Sequence, residues 1–276
     1  MRQILIMANK KIKAVLFDLG ETLLNFGRVE KLRLFREGAL HSYNYLRSLG
    51  QPTGGFGSYC LQNLVALHIR CWISNITRRD FDSLVLLKWI GAKKGICLDA
   101  EQWEQFAWLW YEPLSRIGRL EPGIKETLTA LKKLGIKLGI VSNTFVHRSS
   151  LERHLEQLGI LGFFSARVYS SEVKFRKPDV RIFKTAAEKI GEELKNIMFV
   201  GDRIDTDIRP AMKAGMQAVL KTAYTNSGRK PPEGAWEIKQ LSELPALIER
   251  INAESIRKVD AEVVGIPFLR DKGICV

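Results

Sequence analysis

Several things are scarce in this 276-residue chain, and each scarcity removes a class of function. Its four cysteines (Cys60, Cys71, Cys97 and Cys275) are scattered, with no CxxC pair. That argues against a zinc ribbon or a secreted disulfide scaffold and fits a reducing compartment. Nowhere does the chain run about eighteen apolar residues without interruption, so no membrane span is expected. The opening MRQILIMANKK has too short an apolar patch for a secretory signal, and a cytoplasmic protein is expected. Its four histidines (His41, His68, His147 and His154) lack metal-ligand spacing, and His154, on an amphipathic segment, is expected at the surface. A net charge of +13 could suggest nucleic acid, but the Lys and Arg residues are interspersed with acids. No basic block, RNP motif or zinc-finger pattern appears, and no nucleic-acid partner is expected.

What is present has the rhythm of a parallel α/β protein. IKAVLFD (12–18) reads as a buried strand. From residue 121 helices and strands alternate. EPGIKETLTALKKLG places Ile124, Leu128, Leu131 and Leu134 on one helical face, with Pro122 at the first turn and Gly135 as the cap. Strands follow at 136–142, 166–170, 196–200 and 216–220, and helices at 149–159, 178–191 and 207–215. This order predicts a Rossmann-like parallel sheet with helices on both faces. In such sheets ligands bind beyond the C-terminal strand ends, which singles out Asp18, Ser142 and Asp202.

Residues 27–118 break the rhythm. They read as wholly helical and hold Trp72, Trp89, Trp103, Trp108 and Trp110. The spacing of Trp103, Phe106 and Trp110 fits one buried helix face, and packing is the reading for each tryptophan. The glycine-rich GQPTGGFGS (50–58) lacks the strand and spacing of a nucleotide fingerprint and reads as a helix–helix connection. The expected organisation is a discontinuous core of residues 1–26 and 119–253, a helical insertion over 27–118, and a tail over 254–276. WEI near 236 reads as an edge strand and SELPALIERI as a closing helix. VDAEVVGIPF in the tail could add another strand.

Four polar signals stand at element boundaries: DLGET (18–22), SNT (142–144), RKPD (176–179) and GDRIDTD (201–207). Singly each has a plain structural reading, since Asp202, Asp205 and Asp207 would also suit the start of the following helix. In this order and at these boundaries they resemble the haloacid dehalogenase superfamily, mostly Mg²⁺-dependent phosphohydrolases with a cap between the first two motifs. The resemblance covers about residues 12–252. It implies Asp18 as nucleophile, with Lys177 screening the phosphoryl oxygens and holding Asp18 ionised. It implies phosphate contacts from Ser142, Asn143 and Lys177, with backbone N–H groups near Leu19 and Asn143. It also implies Mg²⁺ held by Asp18, the Gly20 carbonyl and Asp202, with Asp207 orienting the metal's waters. A small phosphorylated metabolite is the implied substrate. Asp205 is expected to be exposed; Arg176 and Arg203 flank the site in sequence.

Gly20 departs from the pattern. The superfamily's phosphatases carry a second Asp there, which protonates the leaving oxygen and then activates water. Glu21 is adjacent, but on an extended segment it would point elsewhere. Three readings follow: a phosphohydrolase that manages without that acid, a non-hydrolytic binding descendant, or a dehalogenase or phosphonate hydrolase. The retained GDRIDTD cluster speaks against the metal-free dehalogenases. Phosphonate cleavage would need a cap lysine, for which Lys88, Lys93 and Lys94 are available.

Overall fold

The computed structural model describes residues 11–173 and 175–264. Six strands form one parallel sheet: β1 (Ala14–Phe17), β4 (Lys137–Ser142), β5 (Ala166–Tyr169), β6 (Ile197–Gly201), β7 (Gln217–Lys221) and β8 (Trp236–Ile238). Their order across the sheet is β5-β4-β1-β6-β7-β8, which puts β1 at the centre and β8 at an edge. Residues of β1 alternate between two cores. Val15 and Phe17 join Met198 and Val200 in one, and Ala14 and Leu16 join Ile197 and Phe199 in the other. A strand buried on both faces needs apolar residues at every position, which is why AVLF and IMFV read as unbroken runs.

Three helices cover the first face: α5 (Ile124–Lys133), α6 (Arg148–Gln157) and α9 (Leu244–Val264). Two others cover the second, α7 (Val180–Ile190) and the short α8 (Arg209–Lys213). The closing helix continues through 259–264, so the first part of VDAEVVGIPF is helical, contrary to the strand considered for it. The rest of that segment, from residue 265, lies outside the described residues, as does Cys275.

His154 corrects a second expectation: it is 3% exposed. Ser150, Leu151, His154 and Leu155 share the inward face of α6, and the His154 Nδ1 lies 3.0 Å from the Tyr111 hydroxyl. Burial holds its pKa down to about 4, so the ring is neutral at physiological pH.

Between β2 (Leu24–Asn25) and β3 (Arg119–Leu120), which pair antiparallel, the chain leaves the sheet and returns. Here lie α1 (Lys31–Ser48), α2 (Phe56–Thr77), α3 (Ser83–Ala92) and α4 (Ala100–Ser115). They enclose a separate cluster that includes Ala39, Tyr43, Tyr59, Leu87, Trp103 and Phe106. α1 and α4 pack closely because Gly38 lacks a side chain: a Cβ there would sit 2.8 Å from the Trp110 carbonyl oxygen. Trp103 and Phe106 are buried as the spacing predicts and Trp110 is partly buried beside them, but Trp72 and Trp89 are 66% and 55% exposed, so packing does not account for them.

Candidate active site

Ser142, Asp18 and Asp202 stand at or just beyond the C-terminal ends of β4, β1 and β6, three adjacent strands. Parallel register sets Phe17 beside Ile140 and Val200, so the residues that follow converge on one crevice. The chain then turns sharply after β1, where the Leu23 and Leu24 amides both donate to the Leu19 carbonyl.

Two further side chains complete the cluster. Asp207 sits on a wide helical turn (Ile204–Ile208), where its Oδ2 accepts the Arg203 amide at 3.0 Å. Gly201 makes room for it, since a Cβ at 201 would lie 2.6 Å from the Asp207 Cβ. Lys177 arrives from the loop after β5. Its Nζ lies 2.5 Å from Asp18 Oδ1 and 2.6 Å from Asp207 Oδ1, and it is 3% exposed. The Asn143 side chain fixes that loop, donating to the Lys177 carbonyl and accepting the Lys177 amide, both at 2.8 Å. The amide group of Asn143 is therefore spent on Lys177, while its neighbour Ser142 is buried at the strand end.

Carboxylate oxygens of Asp18, Asp202 and Asp207 lie within 4.8 Å of one another. Three acids against one ammonium leave excess negative charge in a buried place. Burial pushes Asp18 up to about 7 against the pull of Lys177, with Asp207 and Asp202 adding to the rise. Asp202 is raised by burial as well. Burial alone would lower the Lys177 pKa, but Asp18 and Asp207 outweigh it and its pKa is raised. Asp202 Oδ1 is buried with no hydrogen-bond partner. Its other oxygen accepts from the Thr225 hydroxyl, and the Asn226 side chain donates to the Asp202 carbonyl at 2.7 Å. An orphaned carboxylate oxygen beside two more acids suits a hard divalent cation, which takes oxygen ligands and offsets the crowded charge.

Gly20 has open space: no atom lies within 4 Å of where its Cβ would be. Glu21 is not on an extended segment; its φ is 58°. Its carboxylate accepts the Phe26 and Gly27 amides at 2.9 and 3.0 Å, so it serves the loop. Asp205 is exposed and pairs with Arg209 and Arg229. Arg203 is exposed. Arg176 pairs with Asp80, in the connection between α2 and α3.

A model of the haloacid dehalogenase-like hydrolases matches residues 12–215. The chain belongs to this family. Glyceraldehyde 3-phosphate phosphatase of Methanopyrus kandleri is 30% identical over 211 residues, 75% of this chain and 83% of that protein. N-acylneuraminate-9-phosphatase of Rattus norvegicus is 26% identical over 259 residues, 90% and 98% of the two chains. Among solved structures, a 2-haloacid dehalogenase from Pseudomonas syringae aligns with a TM-score of 0.58 at 22% identity, covering 87% of this chain and 99% of that one. A haloacid dehalogenase-type phosphatase from Thermococcus onnurineus aligns at 0.54 and 24% identity, covering 86% and 98%. At such identities these likenesses speak for the fold. The protein is thus a hydrolase with the family's parallel α/β architecture.

Sequence reasoning missed Thr225, Asn226, Gly201 and the contacts of Asp80. Thr225 and Asn226 follow β7 in a polar, turn-rich segment with no motif, and only the sheet brings them to Asp202. Gly201 stood inside a quoted motif, but its role depends on where Asp207 folds back. Asp80 accepts from Ser74 at 2.6 Å, Arg176 at 2.9 Å and Ser170 at 2.5 Å, joining the helical segment to the Lys177 loop.

Proposed function

We propose that this protein is a Mg²⁺-dependent phosphohydrolase that cleaves a small organic phosphate through an aspartyl-phosphate on Asp18. The observation that carries the reading is the buried cluster: Asp18 held at 2.5 Å by Lys177, beside an Asp202 whose Oδ1 has no partner. The names of the curated relatives, phosphatases of small phosphorylated metabolites, support the substrate class. Asp18, Asp202 and the Gly20 carbonyl would hold the cation, and Asp207 would orient its waters. The cation supplies charge neutralisation on the phosphoryl oxygens.

Asp18 Oδ1 is engaged by Lys177, which leaves Oδ2 for in-line attack on phosphorus. The new Asp18–phosphorus bond forms as the ester P–O bond breaks, and the leaving oxygen departs as an oxyanion with the electron pair and takes its proton from solvent. Water then attacks the phosphorus of the acyl phosphate and loses a proton to solvent, and the acyl O–P bond breaks to release inorganic phosphate and restore the carboxylate. Lys177 and Ser142 balance the charge on the phosphoryl oxygens through both steps. No side chain at position 20 supplies or takes a proton, so a leaving group of low pKa is favoured. The helical segment over 27–118 would act as the cap, clasped by Asp80 to Arg176 and Ser170 and by Asp82 to His147.

The test is a panel of aryl, acyl and alkyl phosphates assayed with and without Mg²⁺, on the wild type and on Asp18→Asn. Turnover should need both the cation and the carboxylate, with Asp18→Asn inactive and folded. Substantial hydrolysis by Asp18→Asn would instead favour direct attack by water. Turnover of no phosphate ester at all would favour the binding-protein reading.

A further inference from the structure

The helix α2 is apolar on the side where a surface helix is normally polar. Over its 22 residues the sole Lys, Arg, Asp or Glu is Arg70. The side that meets the rest of the fold carries Tyr59, Asn63 and Ser74, and Arg70 also lies there, its guanidinium 5.5 Å from the Phe81 ring. The opposite side carries Leu61, Val65, Ile69, Trp72 and Ile76, exposed by 62%, 48%, 52%, 66% and 62%. At 3.6 residues per turn these five fall within an arc of roughly 80°. They leave on the order of 600 Å² of apolar surface in water, the upper end of what a monomer carries. A helix apolar on its free side is a helix awaiting a partner.

We infer that α2 is the interface of a two-fold symmetric dimer, with the α2 helices of two copies packed antiparallel through this stripe. The spacing argues for a second copy. From Val65 the positions advance by 4, 3 and 4, the seam that another helix fills with interlocking side chains. The stripe is also self-complementary. A two-fold axis between His68 and Ile69 sets Leu61 opposite Ile76 of the second copy and Val65 opposite Trp72. It brings the two Ile69 side chains together at the centre, as an isologous interface requires. The largest side chain faces the smallest across that pair, which lets the helices approach without a void. Full burial of the stripe would supply most of the roughly 800 Å² per partner of a standard interface. Arg70 points away from the seam, so pairing buries no charge.

Sedimentation and light scattering on the full chain test this. The wild type should have twice the 31.4 kDa chain mass at micromolar concentration. Ile69→Glu should be monomeric with an unchanged circular dichroism spectrum, while Leu32→Glu, at a 67% exposed position on α1, should remain dimeric. Val65→Trp and Trp72→Val should each weaken association roughly tenfold or more, and the double swap should recover most of the loss. Because each copy carries +13, added salt should tighten the dimer. A wild type that stays monomeric at about 100 µM would overturn the inference. So would a dimer that survives Ile69→Glu, or a double swap that is merely additive. Monomers that bind anionic phosphatidylglycerol vesicles, more weakly as salt rises, would overturn it and assign the stripe to a lipid surface.

Discussion

At the residue scale the site turns on what two positions leave free. Gly20 has room for a larger side chain and its φ is not in the left-handed region, so neither space nor backbone strain forces glycine there. Wild-type kcat/KM should therefore fall steeply as leaving-group pKa rises. Gly20→Asp should flatten that slope and speed alkyl esters by up to about 10². A flat wild-type slope, with chemistry shown to limit the rate, would mean that another group already donates the proton. Thr225 acts through Asp202: it engages one carboxylate oxygen and so fixes the side chain whose Oδ1 has no partner. Thr225→Val should weaken Mg²⁺ binding about 10-fold or more, read by calorimetry on the resting protein. Thr225→Ser should keep most of the affinity, and equal affinities in all three proteins would remove Thr225 from the site.

At the scale of elements the connection between α2 and α3 ties the helical segment to the loops that carry Ser142 and Lys177. Asp82 does two jobs. Its Oδ1 caps α3 by accepting the Leu84 amide at 2.7 Å, and its Oδ2 lies 2.7 Å from the His147 ring at the start of α6. The hydrogen bond to Asp82 raises the His147 pKa despite burial. Alongside, Phe81 stacks on Phe145 at 5.4 Å and the Ser83 amide donates to the Phe145 carbonyl. Asp82→Ala should cost about 1–2 kcal/mol in denaturant unfolding, since it removes a helix cap together with an inter-element bond. Asp82→Asn keeps a capping oxygen and should cost less. If the two variants are equally destabilised, the loss lies in the His147 contact and not in the cap.

At the scale of the whole molecule the buried acid cluster opposes folding unless its charge is met. Asp18 holds its proton more tightly when folded than its ordinary value of 3.8 implies, up to about 7. Between those values the folded chain binds more protons than the unfolded one, so this group's contribution to stability declines as pH rises across that window. Asp202 shifts in the same direction. A cation held as proposed would bind the deprotonated cluster, so Mg²⁺ should raise Tm more at about pH 8 than at about pH 5. Asp18→Asn should remove most of that difference. A Tm gain independent of pH would mean that the cation binds away from these carboxylates.

The apolar runs and glycine caps of this chain already determine most of the sheet. A strand buried on both faces must be apolar throughout, and a helix that packs on it must carry its stripe at a period of 3.6, so β1, β4, β6 and α5 were legible as elements, though their ends shift and Pro122 lies ahead of α5 and not in its first turn. The convergence of Asp18, Ser142 and Asp202 was legible too, because strand ends of a parallel sheet share one rim. Other features depended on which elements meet. His154 sits on the inward face of a charged helix, and its burial required α4 to lie across it. Thr225 and Asn226 gain meaning from β7 lying beside β6. Trp72 and Trp89 have the composition of core residues and stand in solvent, since α2 and α3 turn other faces to the protein. Local sequence sets each element's type through short-range sterics and periodicity. Tertiary structure alone chose the pairings, because contacts between distant segments depend on the shape of both partners at once.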